Sequence, residues 1–416
     1  MGKINLFIID MAHASNTSGV DRYIETLIKS LVKEAYINIY RIQLKNDCEL
    51  LFPKVETIND CITYTIPLPQ EYNTIIAERY WIRKYNEQIY RITESLYIDK
   101  ENIIIHIHTL NLIDLALLIK KKINCKIITH LHCIPWKGIF NNDIQKFNRL
   151  YTMYYMGDKN ISINSKLYIT NNCEAESFIL ADAVVCVTEC AIDFLDRIFP
   201  DHANCYLIPN GIDDREDKHT KSKKLNKEDV NILYVGAVTN SKGLNYILEA
   251  LRIVRQKGYT CTLTIAGSFE EKSMNKLKDD NQNQKMNIKG RLPFNELKLL
   301  YETSDIGIIS SLQEQASYVA IEMAMFSLPI VTTAVDGLDE IFTDNINALK
   351  VNTKFSEVFG LTVDTDMMAE QIIKLIESHE LRTNLGKNAR RLYENELNID
   401  LMRERTVELY KKVLWK

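Results

Sequence analysis

Glu314-Gln-Ala-Ser-Tyr-Val-Ala-Ile-Glu322 sets two carboxylates on either side of seven residues, where an apolar run gives way to a helical pattern. Acids so placed can accept hydrogen bonds from sugar hydroxyls, and a helix start between them can offer backbone amides to an anion such as a phosphate. Ahead of the pair, Asp305-Ile-Gly-Ile-Ile-Ser-Ser311 has the pattern of a short buried strand. The helix after Ser317 runs to Phe326, and Pro329 forbids its continuation before a new strand, Ile330-Val-Thr-Thr333. Glu314 therefore belongs in a strand-to-helix loop, and Glu322 about a turn and a half inside the helix. In an open α/β sheet that carboxyl edge is where ligands bind. Two solvated acids on a surface helix would be written with the same letters; position and the neighbouring motifs favour a site.

Residues 232–243, Ile-Leu-Tyr-Val-Gly-Ala-Val-Thr-Asn-Ser-Lys-Gly, predict a strand, a turn at Gly236, a loop, and Lys242-Gly243 opening a helix. Helix amides plus the point charge of Lys242 suit a diphosphate. An ordinary strand-to-helix loop reads the same way in isolation; the acids two units downstream favour phosphate binding. Asn16-Thr-Ser-Gly19-Val20 is the corresponding first loop of the N-terminal half, where Gly19 could let a ligand approach the backbone or merely serve the turn. Two His-x-His pairs, His106/His108 and His130/His132, end neighbouring strands, and alternate residues share a face. Four histidines invite zinc, but no acid or cysteine completes a familiar ligand pattern. Three structural histidines and one cleft-facing His132, at the strand exit before Cys-Ile-Pro-Trp136, is the preferred reading, with a core histidine, or one that only supports the site from behind, as the alternative.

These side chains need a frame. In the N-terminal half, strands Ile4–Asp10, Ile103–His108 and Lys126–His132 alternate with helices over about Asp21–Glu34 and Leu112–Lys121. Continuous apolar strands alternating with helices imply a parallel sheet covered on both faces. The rhythm restarts after Pro209-Asn-Gly-Ile-Asp213 and a charged, apolar-poor stretch, Asp214–Asp229, that resembles a linker. Strands at Asn231–Gly236, Thr260–Gly267 and Met286–Gly290 follow, with helices at Leu244–Lys257 and Asn295–Thr303, and Met367–Lys416 is helical with charged faces. Glu71–Leu96 is expected as one long helix; its Trp81, Tyr and Arg residues could dock on a membrane surface or an acceptor, or simply pack.

The chain has 416 residues, which favours two domains of about 200 residues each. It is 46% apolar and 25% charged, as a globular protein is, and its net charge of −4 gives no global pull toward nucleic acid. Nine cysteines without a Cys-x-x-Cys pair favour reduced thiols over a disulfide framework. The opening Lys3–Asp10 predicts a strand in place of a signal peptide, and no apolar run reaches a membrane span. The expected setting is the cytoplasm, with contact at the inner face of the membrane left open.

In order along the chain stand Ser18-Gly-Val-Asp-Arg-Tyr23, Thr129-His-Leu-His132, Ala181-Asp-Ala-Val-Val-Cys-Val-Thr188 and Ile208-Pro-Asn-Gly-Ile-Asp213. Leu233-Tyr-Val-Gly236, Lys242-Gly-Leu244, Ile288-Lys-Gly290, Glu314–Glu322, Leu328-Pro-Ile-Val331 and Gly337-Leu-Asp-Glu340 complete the series. With these motifs the chain resembles the family 4 glycosyltransferases of the GT-B fold, nearly end to end. The resemblance implies two tandem Rossmann-like αβα sandwiches facing across a cleft. Residues 1–212 would receive the acceptor, 213–395 the nucleotide sugar, and a helix over 396–416 would pack back toward the first domain. The implied reaction is transfer of a sugar from a UDP- or GDP-sugar to a glycan, lipid-linked or peptide acceptor, with retention and without a metal or other cofactor.

By the same resemblance Glu314 faces the donor sugar's hydroxyls, Glu322 the ribose, and the amides of Ser317, Tyr318 and Val319 the diphosphate or sugar. Lys242 steadies the departing diphosphate, Gly236 and Gly19 lie beside phosphate, His132 contacts the sugar near its reacting carbon, and Arg291 lies near the base. Two positions depart from the family: Ala237 stands where Arg is usual, and Ser317 where Gly is usual. A missing charged partner costs about 1.5–3 kcal/mol. Ala237 therefore leaves a binding or scaffold subunit without turnover as the alternative to an active enzyme, with a zinc hydrolase built on the four histidines as a more distant third.

Overall fold

The structure is a computed structural model. It describes residues 2–12, 19–46, 50–68, 79–134, 136–137, 140, 144–158, 160, 174–216, 230–271, 274–275, 284–356 and 360–415. The chain divides into two compact units. The first comprises residues 1–134, 144–210 and 399–416; the second comprises 135–143 and 211–398.

The first unit is built on eight strands: β1 (Ile4–Ala12), β2 (Ile37–Lys45), β3 (Lys54–Ile58), β4 (Cys61–Pro67), β5 (Ile103–Ile107), β6 (Cys125–Leu131), β7 (Ala183–Cys186) and β8 (Cys205–Leu207). Their order across the sheet is β3-β4-β2-β1-β5-β6-β7-β8. All neighbours run parallel except the β3–β4 hairpin at the edge. β5 is Ile-Ile-Ile-His-Ile with every residue buried, as a strand covered on both faces must be. The chain leaves β1 toward β2 and β4, then returns to the other side of β1 with β5, so a topological switch point lies between β1 and β5.

The second unit carries β9 (Val230–Val235), β10 (Cys261–Ala266), β11 (Met286–Gly290), β12 (Ile306–Ile309), β13 (Ile330–Thr333) and β14 (Leu349–Val351). These form a six-stranded parallel sheet in the order β11-β10-β9-β12-β13-β14. Its switch point lies between β9 and β12. A small antiparallel pair, β15 (Thr353–Ser356) and β16 (Gly360–Val363), follows. The core joins one face of this sheet, through Ile232, Leu263, Ile308 and Val331, to helices Leu244–Gln256 and Thr365–Glu377 through Ile247, Leu251, Val254, Met368 and Ile372, all close to fully buried.

Several expectations can be set against the described residues. Of the helix expected over Glu71–Leu96, the described part is an α-helix over Arg79–Thr93, extended by a 3-10 turn at Glu94–Leu96. Residues 71–78 and the side chains of Arg79 to Trp81 lie outside the described part. The charged stretch expected as a linker is anchored where it begins: Arg390 pairs with Asp214 and, at 3.3 Å, with Glu216. Residues 217–229 lie outside the described part. The helical tail is three helices, Thr365–Glu377, His379–Glu396 and Ile399–Trp415. The first two start at Asp364 and Ser378, whose side chains accept from Met367 N and Leu381 N as N-caps. Among the described residues no helix is long and apolar enough to cross a membrane.

Candidate active site

In the second unit, the side chains singled out above collect at the carboxyl edge, on both sides of the switch point. β9 ends at Gly236, and after a short loop the 3-10 turn Asn240–Lys242 presents Lys242. On the neighbouring strand, β12 runs into Ser310 and Ser311 and the loop carrying Glu314. The Lys242 ammonium forms an ion pair with Glu314 Oε2, closing the gap between the two strands' loops. Glu314 is held at its backbone as well. Its N–H donates to Asp336 Oδ2 at 3.3 Å and its carbonyl accepts from Gly337 N at 2.9 Å. Asp336 in turn pairs with Lys137, in the short segment 135–143 that belongs to this unit.

Tight backbone contacts set this edge. Gly243 adopts φ +66, and a Cβ there would lie 2.2 Å from the Ser310 carbonyl oxygen. Only glycine permits both the left-handed conformation and that approach. Ser310 Oγ donates back to the Lys242 carbonyl at 2.8 Å, so the two loops are stitched where Lys242 leaves the backbone. Gly267, at the exit of β10, approaches Gly236 in the same way: a Cβ would meet the Gly236 carbonyl oxygen at 1.9 Å. At Gly19 the outcome differs. It opens the helix Gly19–Leu31, and a Cβ there would meet nothing within 4 Å among the described residues. The rest of that loop, residues 13–18, lies outside the described part.

The helix Tyr318–Met325 begins beside Glu314 with Ser317 as its N-cap. Ser317 Oγ accepts from Ala320 N at 3.3 Å, so a hydroxyl caps one first-turn amide at the position where the resemblance led one to expect glycine. The amides of Tyr318 and Val319 belong to the same turn and have no carbonyl within the helix to bond. Glu322 is 1% exposed, with its Oε2 accepting from the Tyr301 hydroxyl at 2.7 Å. Tyr301 stacks on Phe326 with ring centroids 5.4 Å apart. Nothing local marked Tyr301 in advance; a tyrosine beside Leu299 and Leu300 looks like any core aromatic. Arg291 is exposed just past the end of β11. Tyr234 has its pKa pushed up by burial and then by the Glu314 charge, and its hydroxyl donates to the Ala237 carbonyl at 2.9 Å.

In the first unit the four histidines form a ladder on one face of β5 and β6. His106, His108 and His130 are buried and His132 is half-buried. Ring centroids of successive partners lie 4.3 Å (His106 and His108), 5.1 Å (His108 and His130) and 4.1 Å (His130 and His132) apart, with planes within 35° of parallel. His106 Nδ1 meets the Tyr410 hydroxyl at 2.8 Å, and His108 Nδ1 meets His132 Nε2 at 2.9 Å. Burial pushes His132 down to about 3; burial and the neighbouring His132 do the same for His106. His108 and His130 are also pushed well below the ordinary value, chiefly by burial. The stack is therefore neutral at physiological pH.

Ring nitrogens of His106, His108 and His130 lie within 4.8 Å of one another. Tetrahedral zinc needs nitrogens about 3.4 Å apart that converge on one point, whereas near-parallel rings direct their lone pairs side by side. The ladder fits packed imidazoles better than a ligand set. A further group went unforeseen in the sequence. Arg41 grips Asp10 through two 2.8 Å hydrogen bonds at the carboxyl end of β1, a buried bidentate ion pair between adjacent strands.

Residues 215–392 match the family described as Glycosyl transferases group 1. The capsular polysaccharide biosynthesis glycosyltransferase CapM of Staphylococcus aureus is 26% identical over 195 residues, 47% of this chain and 49% of that protein. The chain spans about half the length of the curated relatives it matches. Sucrose-phosphate synthase from Thermosynechococcus elongatus superposes over 99% of both chains with a TM-score of 0.71 at 17% identity. The fold is GT-B. HepE of Anabaena, solved in complex with UDP, has the same GT-B architecture, with a TM-score of 0.68 at 12% identity over 98% of this chain and 100% of that one. At such identities the likeness speaks for the GT-B fold alone. The sequence match falls on the unit that holds Lys242, Glu314 and Glu322.

Proposed function

We propose that this protein is a retaining glycosyltransferase of family 4 that takes its sugar from a UDP- or GDP-sugar. The observation that carries the reading is the Lys242–Glu314 pair straddling the β9/β12 switch point beside the start of the helix Tyr318–Met325. Ammonium, carboxylate and helix amides within one loop cluster match the parts of a sugar diphosphate: negative phosphates and a ring of hydroxyls. The match of residues 215–392 to a glycosyl transferase family and the UDP bound by HepE support the same donor class.

In this proposal the donor's diphosphate takes over the Lys242 ammonium from Glu314. Glu314, its loop held through Asp336, then turns to accept hydrogen bonds from the sugar hydroxyls. The amides of Ser317, Tyr318 and Val319 add their dipoles on the phosphate side. Glu322, oriented by Tyr301, accepts from the ribose, and Arg291 lies toward the base. Cleavage of the glycosyl–phosphate bond leaves an oxocarbenium-like sugar and a diphosphate of growing charge. A fixed ammonium and fixed amide dipoles stabilise that change most where water is excluded, and they supply the positive charge without a metal. The leaving phosphate assists the acceptor on the face it departs from, which gives retention. His132 keeps the sugar-contacting role the resemblance implies, as a neutral imidazole, and Gly19 and Gly236 keep theirs beside the phosphates. The acceptor, a glycan, a lipid-linked sugar or a peptide, meets the donor in the cytoplasm or at the inner face of the membrane.

The test is calorimetry with a panel of nucleotides and nucleotide sugars, followed by transfer assays with the donor that binds. Lys242→Ala should weaken diphosphate binding at least about tenfold, as loss of a charge-assisted contact implies, while uridine or guanosine alone binds as before. Glu314→Ala should abolish transfer and leave nucleotide binding in place. Unchanged transfer in either variant sinks the assignment. Tight nucleotide binding with no turnover on any acceptor favours the alternative prompted by Ala237, a binding subunit on the same fold.

A further inference from the structure

In the first unit, away from the ladder, a second group of chemically able side chains surrounds β8. His202 Nδ1 lies 2.6 Å from the Ala203 carbonyl oxygen and 3.4 Å from Cys205 Sγ, and its Nε2 lies 2.8 Å from Asp196 Oδ1. A carbonyl and a carboxylate can only accept, so both ring nitrogens must carry a hydrogen. The geometry makes His202 an imidazolium. Its pKa agrees in direction: burial lowers it, but the Ala203 carbonyl, the Asp196 carboxylate and the neighbouring Cys205 raise it, and the net shift is upward. A cation fixed beside Sγ favours the thiolate of Cys205 over its thiol; the Ala203 carbonyl, 3.7 Å from Sγ, works against it, since only the thiol can donate there. From the other side Cys186, on the neighbouring strand β7, pushes the Cys205 thiol down and is itself pushed up. Asp196 from the helix Glu189–Ile198 opposes the thiolate, and Cys190 at that helix's start faces Cys186. The residue is half-buried.

We propose that Cys205 is a modification site, a thiol that exchanges with low-molecular-weight disulfides. The Cys205 sulfur attacks one sulfur of R–S–S–R, a Cys205–S–S–R bond forms, and RS⁻ leaves to take a proton from water. The named disulfide supplies the oxidising equivalents. Cysteine beside histidine and aspartate also suggests a hydrolase nucleophile, but the Ala203 carbonyl already holds the Nδ1 hydrogen, so His202 cannot accept a proton from the thiol. It acts as a fixed charge. Cys186 does not resolve the adduct. The register pairs Val184 with Cys205 and Cys186 with Leu207, so the two α-carbons sit on a diagonal of about 8 Å, beyond disulfide reach. The product is a stable mixed disulfide on the strand that leads to Asn210, where the chain leaves the first unit.

The experiment treats the reduced full chain with dithiodipyridine across pH, follows the released thiopyridone, and maps the adduct by peptide mass among the nine cysteines. The expected result is first reaction at Cys205, with an apparent pKa below the ordinary value of about 8.5. Cys133, which is exposed, is the internal control. His202→Asn should slow Cys205 about tenfold or more in mildly acidic buffer and move its profile up toward the ordinary one. Asp196→Asn takes away the acceptor that holds the Nε2 hydrogen, an effect through His202 that outweighs the carboxylate's direct opposition to the thiolate, and should move the profile the same way. An ordinary profile at Cys205, prior reaction elsewhere, or rates indifferent to both variants overturns the proposal.

Discussion

Acidification from about pH 7.5 to about pH 5.5 should cost the first unit about 4 kcal/mol of stability while leaving the second nearly unchanged. The cause is the ladder. His106, His108 and His130 are buried and neutral, with folded pKa values far below the ordinary 6.5. Once unfolded, each takes up a proton near its ordinary pKa of about 6.5. Depressed folded values favour the native state above the unfolded pKa, and that advantage shrinks as pH falls toward the folded one. One pH unit below about 6.5, each histidine contributes about 1.4 kcal/mol toward unfolding, and three give about 4 kcal/mol. His132 adds in the same direction, and His202, whose pKa is raised, offsets part of it. Hydrogen exchange followed by mass spectrometry in graded urea reads each unit from its own peptides, so the second unit serves as the control. The variant His130→Phe should remove about one third of the pH dependence, whatever it does to stability at neutral pH. Equal stability of β5 and β6 at the two pH values, corrected for intrinsic exchange, would refute the reasoning.

Two other perturbations probe the second unit. Tyr301→Phe removes the donor to a buried carboxylate, so the second unit should lose about 1–3 kcal/mol, seen as a lower Tm by calorimetry. An unchanged Tm would mean that Glu322 finds other support. Gly243→Ala drives a Cβ into the Ser310 carbonyl oxygen at a left-handed φ, so the β9 and β12 loops must part. Nucleotide affinity should fall as far as in Lys242→Ala, and wild-type affinity would show that this stitch does not position Lys242.

The fold was legible where chemistry is local. Continuous apolar runs such as Phe7-Ile-Ile9 and Ile103-Ile-Ile105 mark strands covered on both faces. Pro329 and the apolar pattern after Ser317 bracketed the helix of Glu322 closely. Lys242 and Glu314 could be put at one sheet edge because each follows a strand, but their ion pair depends on β9 and β12 being neighbours, which no local pattern encodes. The same holds for Tyr301 and Glu322, 21 positions apart. Strand β3 escaped because all five of its residues are exposed and its apolar and polar letters face the same solvent. Arg390, deep in a helical pattern, gave no hint that it anchors Asp214 and Glu216.

The helix Ile399–Trp415 belongs to the first unit, where the Tyr410 hydroxyl meets His106 and Arg403 meets Glu34 at 3.2 Å. During synthesis, therefore, the strands of the first unit wait with an unfinished interior until a helix that follows the whole of the second unit has left the ribosome. Domains usually fold in the order in which they are made; here the second unit can close its own core first, and the first completes its packing afterwards. Stalling translation after residue 398 should leave the β5 histidines open to solvent, a vulnerable interval in which chaperones have the most to protect.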